Sequence, residues 1–184
     1  FGWEKNAGYG TKVHIENILE DFQHSDNNLS IVCLRYFNPI GSHKSALIGD
    51  CSTNKPSNLL PIITEAASGK RKKIIVFGDN YNTHDGTCIR DYIHVVDLAN
   101  SHVIAMNYII QNPGKHIFNV GTGIGTSVLD VITTFEKTNK VKVPYSIGAR
   151  REGDIEKIYA DSSFIKNKIG WKAKESLEQA MKSA

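Results

Sequence analysis

The chain has 184 residues, of which 40% are hydrophobic and 22% charged, and its formal net charge is +3. This length and hydrophobic content suffice for one domain or for parts of two. The weak, interspersed charge argues against nucleic acid or an anionic membrane surface as the main partner.

No apolar run approaches the length needed to span a bilayer, and no signal peptide is recognisable at the start. The three cysteines are far apart and fit neither a disulfide framework nor a zinc motif, which favours a reducing, cytoplasmic location. The seven histidines do not cluster at metal-ligand spacings, so no metal site is expected. The abrupt start, without an initiator methionine, indicates a fragment of a longer protein.

The first part of the chain predicts one helix, one strand and one long loop. Apolar residues spaced i, i+3, i+4, i+7 predict an amphipathic helix over 12–22, with glutamates on its other side. The apolar run 31–34 predicts a strand buried on both faces, as in a parallel sheet, which ends near Pro39. The polar segment 42–57 predicts a long loop, and loops that follow parallel strands often carry binding residues.

The remainder of the chain alternates strands with helices. Apolar periodicity and short buried runs predict helix 59–67, strand 74–77, strand 92–96, a helix from Asp97 to about 110, strand 117–120, helix 127–137, a short strand near 143–145, and terminal helices over 162–168 and from 176. Gly170 fits the position just past the first terminal helix. This alternation predicts the α/β class with a largely parallel sheet.

One arginine, Arg90, immediately precedes the predicted strand 92–96. A permanently charged guanidinium beside buried β structure requires an anion or a carboxylate to offset its desolvation. A ligand phosphate would serve, and so would Asp91 or Glu152. The spacing alone does not choose between them.

Residues 121–126 read Gly-Thr-Gly-Ile-Gly-Thr and lie between a predicted strand and a predicted helix. The spacing is G-x-G-x-G rather than G-x-G-x-x-G, and no acidic residue ends a second strand about twenty residues on. We therefore interpret the segment as a strand-to-helix turn, with Thr126 or Ser127 as the N-cap. On this interpretation the chain contains no complete nucleotide-phosphate loop.

Five stretches together resemble the UDP-glucose 4-epimerases of the extended short-chain dehydrogenase/reductase superfamily. They are Leu-Arg-Tyr-Phe-Asn-Pro-Ile-Gly at 34–41, Asn-Leu-Leu-Pro at 58–61, Val-Phe-Gly-Asp at 76–79, Asp-Gly-Thr and Arg-Asp-Tyr-Ile-His-Val within 85–95, and Arg-Arg-Glu-Gly-Asp at 150–154. The resemblance begins near Asn6 and implies the C-terminal part of such an enzyme.

The resemblance also implies a domain organisation. Residues 1–40 would be the last helix and strand of an incomplete NAD-binding Rossmann domain. Residues 41–184 would mainly form a smaller mixed α/β domain that binds the sugar nucleotide, with strand 116–121 returning to the Rossmann sheet.

In this family, UDP-glucose and UDP-galactose are interconverted at C4 through a 4-keto sugar, with NAD as the hydride acceptor and donor. The resemblance assigns substrate contacts to Asn38, Asn58, Leu59, Val76, Phe77, Arg90, Arg151 and Asp154. Arg90 and Arg151 would clamp the diphosphate, because a planar guanidinium matches phosphate oxygens bidentately. Asp154 would accept hydrogen bonds from the ribose hydroxyls, and Val76 and Phe77 would pack on the uracil.

The resemblance assigns cofactor contacts to Lys12, Tyr36 and Phe37, and it implies a homodimer formed through helices that include the one after Tyr9. The family's proton-transfer pair is a tyrosine and a lysine spaced Y-x-x-x-K, in which the lysine lowers the pKa of the tyrosine. Here the pair is Tyr9 and Lys12, so the spacing is Y-x-x-K, and Gly8 stands at the usual tyrosine position.

One residue on a helix corresponds to a turn of about 100°, so the shorter spacing between Tyr9 and Lys12 changes where a tyrosine points. Three explanations stay open: conformational freedom at the flanking glycines, a sugar-nucleotide binder without catalysis, or an error in the sequence. Another NDP-sugar enzyme of the superfamily, such as a 4,6-dehydratase or a decarboxylase, is a further alternative.

Overall fold

A computed structural model describes residues 7–49 and 56–184, with side chains from residue 10 onward. Within these residues the chain forms six helices and nine short strands. In chain order they are α1 (Ala7–Ser25), β1 (Ile31–Tyr36), β2 (Asn38–Ile40), α2 (Leu59–Ala67), β3 (Ile74–Phe77), β4 (Ile89–Arg90), β5 (Tyr92–His94), α3 (Val95–Gln111), β6 (Lys115–Val120), β7 (Thr126–Ser127), α4 (Val128–Asn139), β8 (Tyr145–Gly148), β9 (Lys157–Ile158), α5 (Ser163–Ile169) and α6 (Leu177–Ser183). None of these helices is long and apolar enough to cross a bilayer.

The strands pair mainly in parallel, in four small sheets of the described part of the chain. β1 runs beside β6, from Ile31 opposite Lys115 to Tyr36 opposite Val120. β2 pairs with β5, and β3 pairs with β8, in the same parallel sense. β4 lies between β7, which is antiparallel to it, and β9, which is parallel. The predicted α/β class with a largely parallel sheet is confirmed.

The sequence predicted that the strand ends near Pro39, but Pro39 lies within β2. The backbone N–H of Phe37 donates to the carbonyl of Val120 at 3.2 Å, and that of Asn38 donates to the carbonyl of Asp91 at 3.0 Å. The strand therefore changes partner, from β6 to β5, instead of ending. Pro39 is tolerated because it brings no N–H that would need a partner in the ladder.

Two other boundaries differ from prediction for identifiable local reasons. α3 begins at Val95 rather than at Asp97, because the Nδ1 atom of His94 accepts the N–H of Val96 at 3.0 Å and caps the helix. β8 begins at Tyr145 because the N–H of Val143 is bound to the Glu136 carboxylate at 2.8 Å.

Buried apolar side chains form two clusters. One lies among α2, β3, α4 and α6 and contains Ile63, Val76, Ile132, Phe135 and Met181, with others. The second lies between the β1–β6 pair and helices α3 and α5, and it is built on Ile93, Phe118, Val120, Ile165 and Trp171. β6 pairs with β1, as expected if strand 116–121 returns to the sheet that contains β1. The division into two domains at residue 40 stays a prediction.

Helix α1 lies on the β1–β6 pair through its acidic side. The Arg35 guanidinium of β1 holds Glu16, with Nε 2.8 Å and Nη2 2.5 Å from the carboxylate, and Lys115 of β6 lies 2.7 Å from Glu20. Three of the four apolar residues that predicted this helix face outward instead: Ile15, Ile18 and Phe22 are each at least half exposed, whereas Leu19 is half-buried.

Candidate functional site

Two arginines from distant parts of the chain meet at one carboxylate. The Nη2 atom of Arg90 lies 3.7 Å from Oδ1 of Asp154, and the Nε atom of Arg151 lies 2.9 Å from Oδ2 of the same residue. The Arg90 side chain is 18% exposed, whereas that of Arg151 is 57% exposed. Two cations around one anion leave an excess of positive charge, which can attract a further anion.

Backbone carbonyls hold the Arg90 side chain in place. Its Nη1 atom donates to the carbonyl of Ile89 at 2.8 Å and to the carbonyl of Ile155 at 2.6 Å. Of the carboxylates near it, Asp154 is the ion-pair partner. The sequence suggested Asp91 or Glu152 as a protein carboxylate that could pair with Arg90. Asp91 instead binds backbone amides of residues 122 and 123.

Asp91 is completely buried and collects the amides of the glycine-rich segment. Its carboxylate accepts hydrogen bonds from the N–H of Thr122 at 3.0 Å, the N–H of Gly123 at 2.9 Å, the N–H of Ala160 at 3.1 Å and the Thr122 hydroxyl at 2.7 Å. An added Cβ at Gly121 would lie 2.5 Å from the Asp91 carboxylate, which explains the glycine there. This segment therefore encloses a protein carboxylate, whereas a nucleotide loop would enclose a phosphate.

The end of that segment agrees with the sequence interpretation. Ser127 caps α4, and its hydroxyl oxygen accepts the N–H of Asp130 at 3.0 Å. Of the two predicted N-caps, Ser127 is confirmed, and Thr126 lies in β7.

Strand β3 presents an apolar surface beside the arginines. Its residues alternate between buried and exposed, so that Val76 is 2% exposed while Ile75 is 53% and Phe77 39% exposed. The Cζ atom of Arg151 lies 4.8 Å from the centre of the Phe77 ring. Val76 belongs to the core and has almost no surface for a ligand, although the sequence placed it on the uracil. The residue that sequence reasoning missed is Ile75, and the period of two along a strand was the signal for it.

Asn38 lies beside Tyr92, two residues after Arg90, because β2 pairs with β5. The N–H of Asn38 donates to the carbonyl of Asp91, the residue after Arg90. Tyr36 is 54% exposed and Phe37 is half-buried, both at the carboxyl end of β1. The carboxyl ends of parallel strands are where ligands bind in open α/β sheets.

Asn58 and Leu59 stand at the start of α2, which packs on the core that holds Val76. Asn58 is exposed, and its side chain makes no capping hydrogen bond to the helix. Its amide group is thus not engaged in the helix cap.

The predicted catalytic pair lies on α1. Lys12 is exposed, one turn before Glu16, and Tyr9 belongs to the first turn of the helix. The side chain of Tyr9 is outside the described part of the structure, and so are residues 50–55 of the long loop with Cys51.

One group of metal-ligating side chains occurs among the described residues. The Nε2 atom of His84 lies 2.9 Å from the Asp130 carboxylate and 3.6 Å from that of Asp85. Asp85 already accepts hydrogen bonds from the N–H and hydroxyl of Thr87 and from Ser127. Burial raises the pKa of Asp85, but these hydrogen bonds together outweigh it and leave that pKa below its ordinary value. The Asp85 carboxylate is therefore already used within the fold.

This chain is similar to known proteins over nearly its whole length. The GDP-mannose 4,6 dehydratase family model matches residues 6–184. A UDP-glucose 4-epimerase of Pasteurella multocida is 50% identical over 175 residues, which is 95% of this chain and 52% of that protein. The chain thus spans about half the length of the curated relatives it matches.

Two solved structures are similar as well. A Stenotrophomonas maltophila UDP-glucose 4-epimerase with bound NAD and formylated UDP-arabinopyranose superposes with a TM-score of 0.92 at 44% identity, over 95% of this chain and 52% of that one. A Bifidobacterium longum UDP-glucose 4-epimerase in complex with NAD⁺ and UDP gives a TM-score of 0.89 at 45% identity, with the same coverage. The resemblance stated from the sequence motifs is confirmed.

Proposed function

This chain belongs to the GDP-mannose 4,6 dehydratase family, and on that premise we propose that it forms the sugar-nucleotide-binding part of an NAD-dependent UDP-glucose 4-epimerase. The observation that carries the proposal is the convergence of Arg90 and Arg151 on Asp154, beside the exposed apolar face of β3. UDP would use both features, because its diphosphate is anionic and the flat face of its base can pack on apolar side chains.

The diphosphate would lie against Arg90 and Arg151. A guanidinium donates two parallel hydrogen bonds to phosphate oxygens, and a partly buried one does so with less competition from water. Asp154 would accept from the ribose hydroxyls. Asn38 pairs with Tyr92, two residues after Arg90, and would donate its side-chain amide to the diphosphate or the sugar.

The uracil would rest on the exposed side of β3. Ile75 and Phe77 point to that side, and this replaces the predicted pair of Val76 and Phe77. Asn58, whose side chain is not used as a helix cap, would supply a polar contact, and Leu59 would add apolar surface.

NAD would be contacted by residues at the carboxyl end of β1 and on α1. The exposed Tyr36 and half-buried Phe37 leave surface for a flat ring, and Lys12 is exposed on the helix beside that strand. When bound, NAD supplies a hydride acceptor and donor for C4 of the sugar. The glycine-rich segment does not fit the cofactor's pyrophosphate, because Asp91 occupies its amides.

Within this reaction, Tyr9 would take the proton from the C4 hydroxyl and return it, and Lys12 would lower the pKa of that tyrosine by its positive charge. Arg90 and Arg151 would hold the diphosphate fixed while the sugar turns, so that either face of C4 can meet the cofactor. A sugar-nucleotide binder without catalysis is the second candidate, and the Y-x-x-K spacing is what favours it.

Binding of UDP by the 184-residue chain tests the nucleotide site. We expect titration calorimetry to give tighter binding of UDP than of UMP, because the second phosphate adds a contact to the arginine pair. Equal affinities for UDP and UMP, or no binding of either, would contradict the site.

Catalysis is tested by joining this chain to the N-terminal half of the Pasteurella multocida epimerase and measuring conversion of UDP-galactose to UDP-glucose. Turnover with the native Tyr9 would support the epimerase. Turnover only after the exchange Gly8→Tyr with Tyr9→Gly would support the non-catalytic binder, since that exchange restores Y-x-x-x-K. A product other than UDP-glucose would identify another NDP-sugar enzyme, such as a dehydratase or decarboxylase.

We further propose a homodimer through α1 and a cytoplasmic location. The exposed apolar side chains Ile15, Ile18 and Phe22 lie on one face of α1 and form a patch of the kind that monomeric proteins rarely leave uncovered. Its occupant would be α1 of a second copy. Sedimentation should give a dimer that Ile18→Asp converts to a monomer.

A further inference from the structure

Arg150, the neighbour of the proposed phosphate ligand Arg151, is tied to a different part of the protein. Its Cζ atom lies 3.9 Å from the centre of the Tyr81 ring, its Nε atom donates to Oδ1 of Asn80 at 2.6 Å, and an Nη atom donates to the carbonyl of Asn80. These contacts use the face and two edges of the guanidinium. We propose that Arg150 is a positioning residue that aims Arg151 into the nucleotide site, an inference that rests on the function proposed above.

The surface that receives Arg150 is formed by a buried, backbone-bonded tyrosine. Tyr81 is 6% exposed, and its N–H donates to the carbonyl of Gly86 at 3.0 Å. Gly78 has a φ of +80°, and a Cβ built there would lie 2.6 Å from the Tyr81 ring and 2.8 Å from Cγ of Arg150. Only glycine leaves room for Arg150 to lie flat against the ring.

The contacts of Arg150 lie where the pairing of β3 with β8 ends. After the paired residues, the N–H of Gly78 donates to the carbonyl of Gly148 at 2.9 Å. Beyond it, the backbone at 149–151 is in no strand or helix. Arg150 therefore supplies the cross-connection that regular pairing no longer gives.

The two adjacent arginines contact different residues. Arg150 reaches Asn80 and Tyr81, while Arg151 reaches Phe77 and Asp154. Because the backbone between them is shared, a fixed Arg150 restricts the directions open to Arg151. Arg151 is the more exposed member of the proposed phosphate pair, so it has the greater need of such a restraint.

A lysine cannot replace Arg150 in this role. Its ammonium group has neither a planar face to stack on Tyr81 nor a fork to hold both Asn80 oxygens. Arg150→Lys therefore keeps the positive charge but removes the stacking on Tyr81 and the forked hydrogen bonds to Asn80. Tyr81→Leu removes the ring, whereas Tyr81→Phe keeps the ring and removes only its buried hydroxyl.

The experiment is titration of UDP into the 184-residue chain and its variants. We expect Arg150→Lys and Tyr81→Leu to weaken binding about threefold to tenfold, and Tyr81→Phe to leave it unchanged. In an Arg151→Gln background, Arg150→Lys should have no further effect, because its influence passes through Arg151. Unchanged affinity in Arg150→Lys, or an additive loss in the double variant, would overturn the inference. Thermal melting identifies a variant that has simply unfolded.

A second measurement separates this inference from the proposed function. If the wild-type chain does not bind UDP, the proposed nucleotide site fails, and the Arg151 Nε–H signal in a ¹H–¹⁵N NMR spectrum still reports the aim of that side chain. The signal should shift toward that of a freely rotating arginine in Arg150→Lys and stay in place in Tyr81→Phe. An unmoved signal in Arg150→Lys would show that Arg150 does not position Arg151.

Discussion

Arg90 and Arg151 are joined through Asp154, which lies 3.7 Å from the first guanidinium and 2.9 Å from the second. One arginine comes from the short strand β4 and the other from the turn after β8. Their meeting brings two predicted phosphate ligands and the predicted ribose acceptor to one place. It is the relationship on which the proposed nucleotide site depends.

Replacing either arginine should weaken UDP binding, and Arg90 should matter more. We expect Arg90→Gln to lower the affinity at least about tenfold and Arg151→Gln less, because Arg90 is 18% exposed and Arg151 57% exposed, so water screens the second more. Calorimetric titration measures this. Arg71→Gln, which breaks the surface pair with Glu65, is the matched control and should bind normally. Equal binding by all three variants would contradict the site.

Neighbouring residues of β3 should separate binding from stability. Val76→Ala removes buried methyl groups and should lower the free energy of unfolding by about 1.5–3 kcal/mol. Ile75→Ala alters a side chain that is 53% exposed and should reduce UDP affinity with little change in stability. Urea unfolding and UDP titration of both variants test these two effects. If Val76→Ala weakened UDP binding and Ile75→Ala did not, Val76 would be the residue that contacts the uracil.

Asp91 should be a strong determinant of stability. Asp91→Asn places an amide group where the carboxylate accepts backbone N–H donors, and at least one buried donor loses its partner. We expect a loss of about 2–3 kcal/mol in the free energy of unfolding, measured in urea. Asp21→Asn, at an exposed position of α1, serves as the control and should unfold like the wild type.

The pair of Glu16 with Arg35 should make stability depend on acid pH. The hydrogen bond and charge of Arg35 hold the pKa of Glu16 below its ordinary value of 4.5, although burial opposes them. A carboxyl with a lowered pKa in the folded state contributes its stability above the unfolded value, and the contribution is lost as pH falls through the folded pKa.

The free energy of unfolding of the wild type should therefore exceed that of Glu16→Gln by about 0.5–1 kcal/mol at neutral pH, since Arg35 is 45% exposed. The difference should shrink as pH falls below 4.5. Thermal melting from pH 7 to pH 3 measures it, with Glu152→Gln as an exposed control. A difference that stays constant with pH would show that the ion pair is not its cause.

Much of the fold could be predicted because its signals are local. The spacing of Ile15, Ile18 and Phe22 predicted α1, and the structure extends that helix at both ends. Ser127 was identified as an N-cap, and Gly170, with a φ of +70°, ends α5 as expected. Periodicity and caps involve residues within a turn or two of one another, so the sequence displays them directly.

The sequence by itself determined the α/β class, the order of most elements and the motifs that indicated a sugar nucleotide. Only the tertiary structure decided which carboxylate Arg90 meets, that Asp91 fills the glycine-rich segment, and that the face of β3 with Ile75 and Phe77 is the exposed one. It also decided that the glutamate side of α1 faces the strands. The physical reason is distance along the chain: the partner of a buried charge is chosen by three-dimensional packing, as when Asp91 accepts the amide of Ala160, 69 positions away.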